Sequence, residues 1–257
     1  MLDIHPTAVV HSRAEIDDNV IIGPYSVIGP DVSIGAGTWI GSHVVLEGRT
    51  RIGLGNRIFH GAALGGEPQD LKYRGESTYL RIGNFNTIRE YATINMACIE
   101  DEATTIEDHA LIMAYAHVAH NCRIASRVIL ANSVNLAGHV EVFEGAIIGG
   151  VTPVHQFVRV GRYSIVGGGC RVPKDVPPFV RAAGHPLRVV GLNSVGLERN
   201  GFDEDRRTTL KRAYRVLFRS GLNTRQAVAR LREEFGADDD VCDLADFVEK
   251  SERGITL

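Results

Sequence analysis

Five histidines crowd one stretch of this 257-residue chain: His109, His117, His120, His139 and His155. Imidazole titrates close to neutral pH, so a histidine held against a hydroxyl can take its proton as general base. Three imidazoles with an open fourth position can instead hold a catalytic zinc. Either chemistry needs the rings brought together, and spacing decides whether they are. His120, His139 and His155 belong to segments that begin at Val118, Leu136 and Val154, and those starts are evenly spaced along the chain. A framework with that period would set all three along one edge, about 4.8 Å apart per repeat, the distance between neighbouring strands. Without it they are polar groups on a hydrated surface.

The framework is written in the chain. Every sixth residue from Ile4 to Val172 gives 29 positions, of which 26 are Ile, Val or Leu, and from Ile106 onward the row is unbroken. An α-helix buries residues with a period near 3.6 and an ordinary strand with a period of 2, so a beat of six fits neither. It fits a solenoid in which each hexad is one short strand and one corner, and three hexads close a triangular coil stacked on its neighbours. The histidine-bearing segments, spaced by three hexads, therefore fall in successive coils. The position four residues after each aliphatic one is small or β-branched, as in Ala8, Ser26, Thr38, Ala110, Ala116 and Val140, with Asn56 and Asn86 as departures. Gly23, Gly29, Gly35 and Gly41 directly follow an aliphatic residue and read as corners that need permissive backbone angles. The expected fold is an all-β parallel β-helix of hexapeptide repeats over residues 1–175, then a small C-terminal α-helical domain over 190–257.

The exceptions to the aliphatic row, Asp70, Glu76 and Glu100, mark loops that leave the coil near 65–81 and 95–105. Leu64 and Ile82 are three hexads apart, one full coil, so the first loop is expected to leave the stacking undisturbed. A long loop on a regular scaffold is more often functional than decorative. Beyond Val172, Pro173, Pro177 and Pro178 are expected to stop ladder pairing. The period then turns helical, with Asp203 and the Asn223–Gln226 pair as starts and Gly221 and Gly236 as stops.

Net charge is −3, but unevenly placed: residues 1–170 carry 12 Lys/Arg against 17 Asp/Glu, and residues 171–225 carry 12 against 5. A basic stretch after the solenoid suits an acidic protein partner, while the chain as a whole gives no reason to expect nucleic acid. The first ten residues lack the regions of a secretory signal and no apolar run approaches a membrane span, so a cytoplasmic protein is expected. Cys98, Cys122 and Cys170 all fall on the small-residue site of a hexad and read as corner filler.

Five segments in order, GGEPQDLKYRGE (65–76), AHVAHNC (116–122), LAGHVEV (136–142), IIGGVTPVHQF (147–157) and GLERNGF (196–202), resemble the UDP-N-acetylglucosamine O-acyltransferases that open lipid A biosynthesis in Gram-negative bacteria. The likeness covers essentially the whole chain. It implies a left-handed coil, a homotrimer with clefts between adjacent copies, and transfer of an (R)-3-hydroxyacyl group from acyl carrier protein to the 3-hydroxyl of UDP-N-acetylglucosamine, with neither metal nor other cofactor. By the same resemblance His120 is the general base and the backbone N–H of Gly138 the oxyanion donor. Gln69, Asp70 and Lys72 match a substrate-contacting motif. His117, Asn121, His139, His155 and Gln156 belong to the cleft, Gly168 bounds the acyl groove, and Asn193 and Arg199 meet the nucleotide or carrier end. Two positions depart from the pattern. Asn121 replaces the Asp that many relatives carry after the catalytic histidine, and an amide orients an imidazole without stabilising its cation by charge. Asn95 stands where some relatives have His.

Other readings stay open. Nothing in these residues distinguishes a sugar hydroxyl from a 3-amino sugar as nucleophile, and acyl length is not legible. A γ-class carbonic anhydrase, also a β-helix trimer with histidine ligands, would bind zinc; in a non-catalytic scaffold the histidines would be incidental.

Overall fold

The computed structural model describes residues 2–257. Strands, mostly of two residues, follow one another around three faces, and each pairs in parallel with the strand three places later. Three parallel sheets therefore grow side by side, and the chain is a parallel β-helix. No strand this short is stable alone, so cohesion comes from stacking. The aliphatic row points inward in register: Ile58, Ile88, Ile112, Leu130 and Ile148 form one buried column along the first face.

Most corners are built on the third residue after an aliphatic one, which is left-handed there even where it is not glycine: Tyr25, His43, Tyr115, Asn121, His139 and Phe157 all have φ between 55° and 63°. The coil below holds this conformation through the backbone, as where His139 N–H donates to His120 O at 3.0 Å. The glycines one residue after the aliphatic site serve a different purpose from the one expected. A Cβ on Gly23 would stand 2.7 Å from the Gly41 carbonyl, so close approach of successive coils excludes a side chain there. Asn56 and Asn86 are buried connectors: Asn56 Nδ2 donates to Gly83 O, and its Oδ1 accepts from Asn86 N–H.

Up to Val172, stacked partners lie three hexads apart except around the two loops. Ile52 pairs with Ile82, five hexads on, and Ile82 with Ile106, four hexads on, so the first loop adds two hexads and the second adds one. Leu64 lies in a strand on the second face and Ile82 in one on the third. The span between them is one side of a coil with an excursion, and the full coil expected from its length is not there.

The prolines do not end the ladder. Val172 bridges to Val154, Val176 to Val160, and Val180–Ala183 pairs in parallel with Ile165–Val166, so the coil continues beyond residue 172. Pro173, Pro177 and Pro178 fall between the pairing residues, where no N–H is required. Arg188–Leu192 then runs antiparallel to Val180–Ala183. Four helices follow, α1 (Ser194–Arg199), α2 (Glu204–Arg219), α3 (Thr224–Phe235) and α4 (Asp239–Glu249). Asp203 caps α2, and a reciprocal Asn223–Gln226 capping box starts α3. Their core joins Leu210, Leu217, Leu231 and Leu244 to Phe179 at the end of the solenoid. The buried Asp240 of α4 pairs with Arg162 of the solenoid and Arg206 of α2, fixing the helices to the coil. Among the described residues no helix is long and apolar enough to cross a membrane.

Candidate active site

Both loops leave the prism between the second and third faces, in consecutive coils, and the next two coils carry His120 and His139 across that same edge. The loops fold back over the histidines. His120 Nδ1 lies 3.0 Å from Asn121 Oδ1. An amide oxygen can only accept, so in the neutral ring Nδ1 holds the proton and Nε2 keeps a bare lone pair. The orientation of that amide is fixed twice, by Asn121 Nδ2 donating to Glu102 Oε2 at 2.6 Å and by Cys98 N–H donating to Asn121 Oδ1 at 3.0 Å. A carboxylate therefore stands behind the histidine through an intervening amide. The bare Nε2 faces Asp70 Oδ2 at 3.9 Å.

Gly138 occupies the same offset in its hexad as His120 does one coil earlier, and the imidazole lies against it. A Cβ there would stand 2.4 Å from His120 Cε1 and 2.6 Å from Nε2, so only glycine lets the ring keep its place. The Gly138 N–H donates to no group among the described residues.

The flanking groups set the electrostatics. His139 meets His120 edge to face, with ring centroids 5.2 Å apart, and stacks on Phe157 at 4.6 Å. Burial, then the neighbouring His120, holds its pKa below the ordinary 6.5. His117, whose Nδ1 is 2.7 Å from Thr93 Oγ1, is lowered by the same causes in the same order. Both rings thus favour the neutral form. Asp70 lies below the usual carboxylate range because the Lys72 N–H donates to it at 2.9 Å, with smaller help from His120, Lys72 and His139.

His155 does not complete a row of three. It makes no ring contact with His120 or His139 among the described residues, and its Nδ1 lies 3.1 Å from Gln156 O. The coils are in register as the three-hexad spacing requires, but a residue's offset within its hexad sets its direction, and Phe157 holds the offset of His139. The three-histidine zinc set is not assembled. Gln156, Gln69 and Lys72 are exposed or nearly so, and Leu71 at the loop tip is 95% exposed. Gly168 lies on another edge, between the first and second faces, where a Cβ would meet Gly150 O at 3.1 Å. Asn193 caps α1, its buried amide accepting from Gly196 N–H and donating to Tyr163 O, and Arg199 is exposed in the last turn of that helix. Within one chain these three are not brought to His120.

Two site residues escaped the sequence reading. Cys98 is no corner filler: the second loop shifts the count, and Thr104 takes the buried corner site, its Oγ1 accepting from Asn121 N–H. Cys98 is half-buried at the site, its Sγ 4.0 Å from Asp70 Oδ2. Glu102 was one acidic residue among several in that loop. Asn95 donates to Glu67 O at 2.8 Å and so ties the second loop to the base of the first. Cys122 is a buried filler, its thiol pushed up to about 12 by burial.

The family described as Udp N-acetylglucosamine O-acyltransferase, Domain 2, matches residues 175–256, and the bacterial transferase hexapeptide family matches residues 103–138. The acyl-[acyl-carrier-protein]–UDP-N-acetylglucosamine O-acyltransferase of Thiobacillus denitrificans is 50% identical over 99% of each chain, and that of Thermodesulfovibrio yellowstonii 46% identical over 99% of each. Among solved structures, the UDP-N-acetylglucosamine O-acyltransferase of Moraxella catarrhalis superposes with a TM-score of 0.95 at 42% identity, covering 99% of both chains. The Acinetobacter baumannii enzyme does so with a TM-score of 0.95 at 43% identity, again over 99% of both.

Proposed function

This chain belongs to the UDP-N-acetylglucosamine O-acyltransferase family, and on that premise we propose that it moves an (R)-3-hydroxyacyl group from acyl carrier protein to the 3-hydroxyl of UDP-N-acetylglucosamine, the first step of lipid A biosynthesis, with His120 as the base. A sugar hydroxyl is a weak nucleophile at neutral pH. His120 Nε2 takes its proton as the oxygen attacks the thioester carbonyl, the tetrahedral oxyanion accepts from the Gly138 N–H, and collapse expels the carrier thiolate, which recovers the proton from the imidazolium. What supports this reading is that the His120 ring, its Nε2 bare, lies against Gly138, whose N–H is unclaimed among the described residues. Asn121 holds the tautomer and Glu102 supplies, one bond further out, the negative charge that an aspartate in place of Asn121 would have given directly. Neutral His117 and His139 place no competing cation against the imidazolium, and Asp70 and Lys72 are offered to the sugar and its hydroxyls.

We further infer a homotrimer. The first face turns a half-exposed apolar strip outward, including Trp39, Leu111, Ile129, Ile147 and Ile165, which supports packing against another copy. A cleft between copies is also the arrangement in which Gly168, Asn193 and Arg199 reach substrate bound at a neighbour's His120. The basic stretch over 171–225 suits an acidic acyl carrier protein by electrostatic steering, and the reaction is placed in the cytoplasm.

The test is incubation of the purified chain with UDP-N-acetylglucosamine, or its 3-amino analogue, and a panel of 3-hydroxyacyl carrier proteins, with mass detection of product. An ester product is expected, and His120→Ala should lower the rate by about 10²- to 10⁴-fold with the assembly intact. Transfer undiminished in that variant overturns the role of His120.

A further inference from the structure

Four donor side chains from four separate stretches of chain end in one small space beside the proposed base. Cys98 comes from the second loop, Asp70 from the first, and His120 and His139 from successive coils. One donor atom from each of Cys98, His120 and His139 lies within 4.8 Å of the others. Asp70 Oδ2 stands 3.9 Å from His120 Nε2 and 4.0 Å from Cys98 Sγ. Acyl transfer as derived above gives the Cys98 thiol nothing to do.

We propose that Cys98, His120 and His139, with Asp70, form an inhibitory site for a divalent transition metal, zinc above all, which occupies His120 Nε2 and stops acyl transfer. Two imidazoles, a sulfur and a carboxylate are the donor set of tetrahedral zinc or cobalt. Zinc at about 2.1–2.3 Å from each ligand sets neighbouring ligands roughly 3.5 Å apart, so Cys98, His120 and His139 must close by only about 1 Å. The outer support is already in place. A metal-bound histidine commonly donates its other N–H to a fixed acceptor, and His120 Nδ1–H does so to Asn121 Oδ1. Binding releases the thiol proton of Cys98 as the sulfur–metal bond forms, with no change of oxidation state. The inhibitory consequence rests on the reading of His120 as the base; the existence of the site does not.

Metal-free full-length protein is titrated with cobalt chloride and followed by absorbance, then with zinc chloride in the transfer assay. One cobalt per chain with a near-ultraviolet thiolate-to-cobalt band is expected, displaced by zinc, together with zinc inhibition of transfer. Cys98→Ala and Cys98→Ser should abolish the band and weaken zinc inhibition, read against each variant's own metal-free rate, on the order of 100-fold. His139→Gln, its folding checked by circular dichroism, should weaken cobalt binding while keeping the band. Absence of stoichiometric cobalt, a band that survives in Cys98→Ala, or bound zinc without loss of transfer each overturns the proposal. A metal-free protein that transfers no acyl group overturns the functional reading and the inhibitory consequence with it, while the cobalt band, which needs no turnover, still decides whether the site exists.

Discussion

Changing Asn121 to Asp should slow this chain, although an aspartate carries the charge that an amide lacks. Asn121 Nδ2 lies 2.6 Å from Glu102 Oε2, so the substitution sets a second carboxylate against the first. Even after rotating apart to about 4 Å, two unit charges repel by about 1 kcal/mol in water and about 4 kcal/mol at an effective dielectric near 20. Glu102 is exposed while Asn121 is buried, so a value near 2 kcal/mol is appropriate. Swinging away from Glu102 also takes the new carboxylate off His120 Nδ1, and 2 kcal/mol is about 30-fold in kcat/KM. Glu102→Gln alone loses one charge-assisted hydrogen bond, about 1 kcal/mol or roughly five-fold. In the double variant the new glutamine amide donates to the new aspartate, which then accepts from His120 with its full charge, and activity should return to within about three-fold of the parent. Independent effects would multiply to about 150-fold, so the coupling is on the order of 2 kcal/mol. The assay is kcat/KM for acyl transfer across the four proteins of the cycle. An Asn121→Asp protein as active as the parent, or a double variant no better than it, refutes the arrangement of Glu102, Asn121 and His120.

Gly138→Ala places a methyl 2.4 Å from His120 Cε1, so it should cut kcat by about 100-fold through displacement of the base while the melting temperature moves little; unchanged kcat would mean that the ring does not work from this position. His117 and His139 both have folded pKa values below the ordinary 6.5, so the unfolded chain binds more protons and the stability they contribute, complete above pH 6.5, is lost as pH falls through their lowered values. The thermal midpoint should therefore decline on acidification from about pH 6.5, less steeply in His117→Asn, and a midpoint that rises over that range contradicts the burial of these rings. Asp240→Ala leaves Arg162 and Arg206 without their shared partner. Both arginines are partly exposed, so the cost should be about 2 kcal/mol in chemical denaturation rather than the roughly 3–5 kcal/mol of a fully buried pair, and α4 amides should exchange faster.

The fold was legible because the hexad writes each buried residue into the chain directly: a row of aliphatic residues at a period matching neither helix nor strand admits few other shapes. What the sequence could not show was where each coil begins. The loops add whole hexads, two in the first and one in the second, so the row stays in phase across them while its stacking partners change. That coincidence made Leu64 to Ile82 look like a whole coil and set Cys98 on a corner that Thr104 occupies. The prolines misled for a related reason. Proline bars pairing only where an N–H is needed, and Pro173, Pro177 and Pro178 stand between the residues that pair.

The histidines show how far spacing carries a site. A three-hexad period fixes height along the axis and says nothing of direction around a corner, where three consecutive residues point three ways. His120 and Gly138 share one offset and meet; Asn121, His139 and Phe157 share the next, and His139 stacks on Phe157. His155 has a third offset and turns aside. Residues inside the loops have no offset at all, so Asp70 and Cys98 reach His120, and Glu102 reaches Asn121, only because both excursions leave the same edge just below it. An insertion placed between the first and second faces instead would keep every hexad in phase and preserve the buried row, yet it would leave His120 without its amide lock and without the carboxylate facing Nε2. The edge from which the loops depart, more than the number of histidines, is therefore what turns a corner of this solenoid into a site.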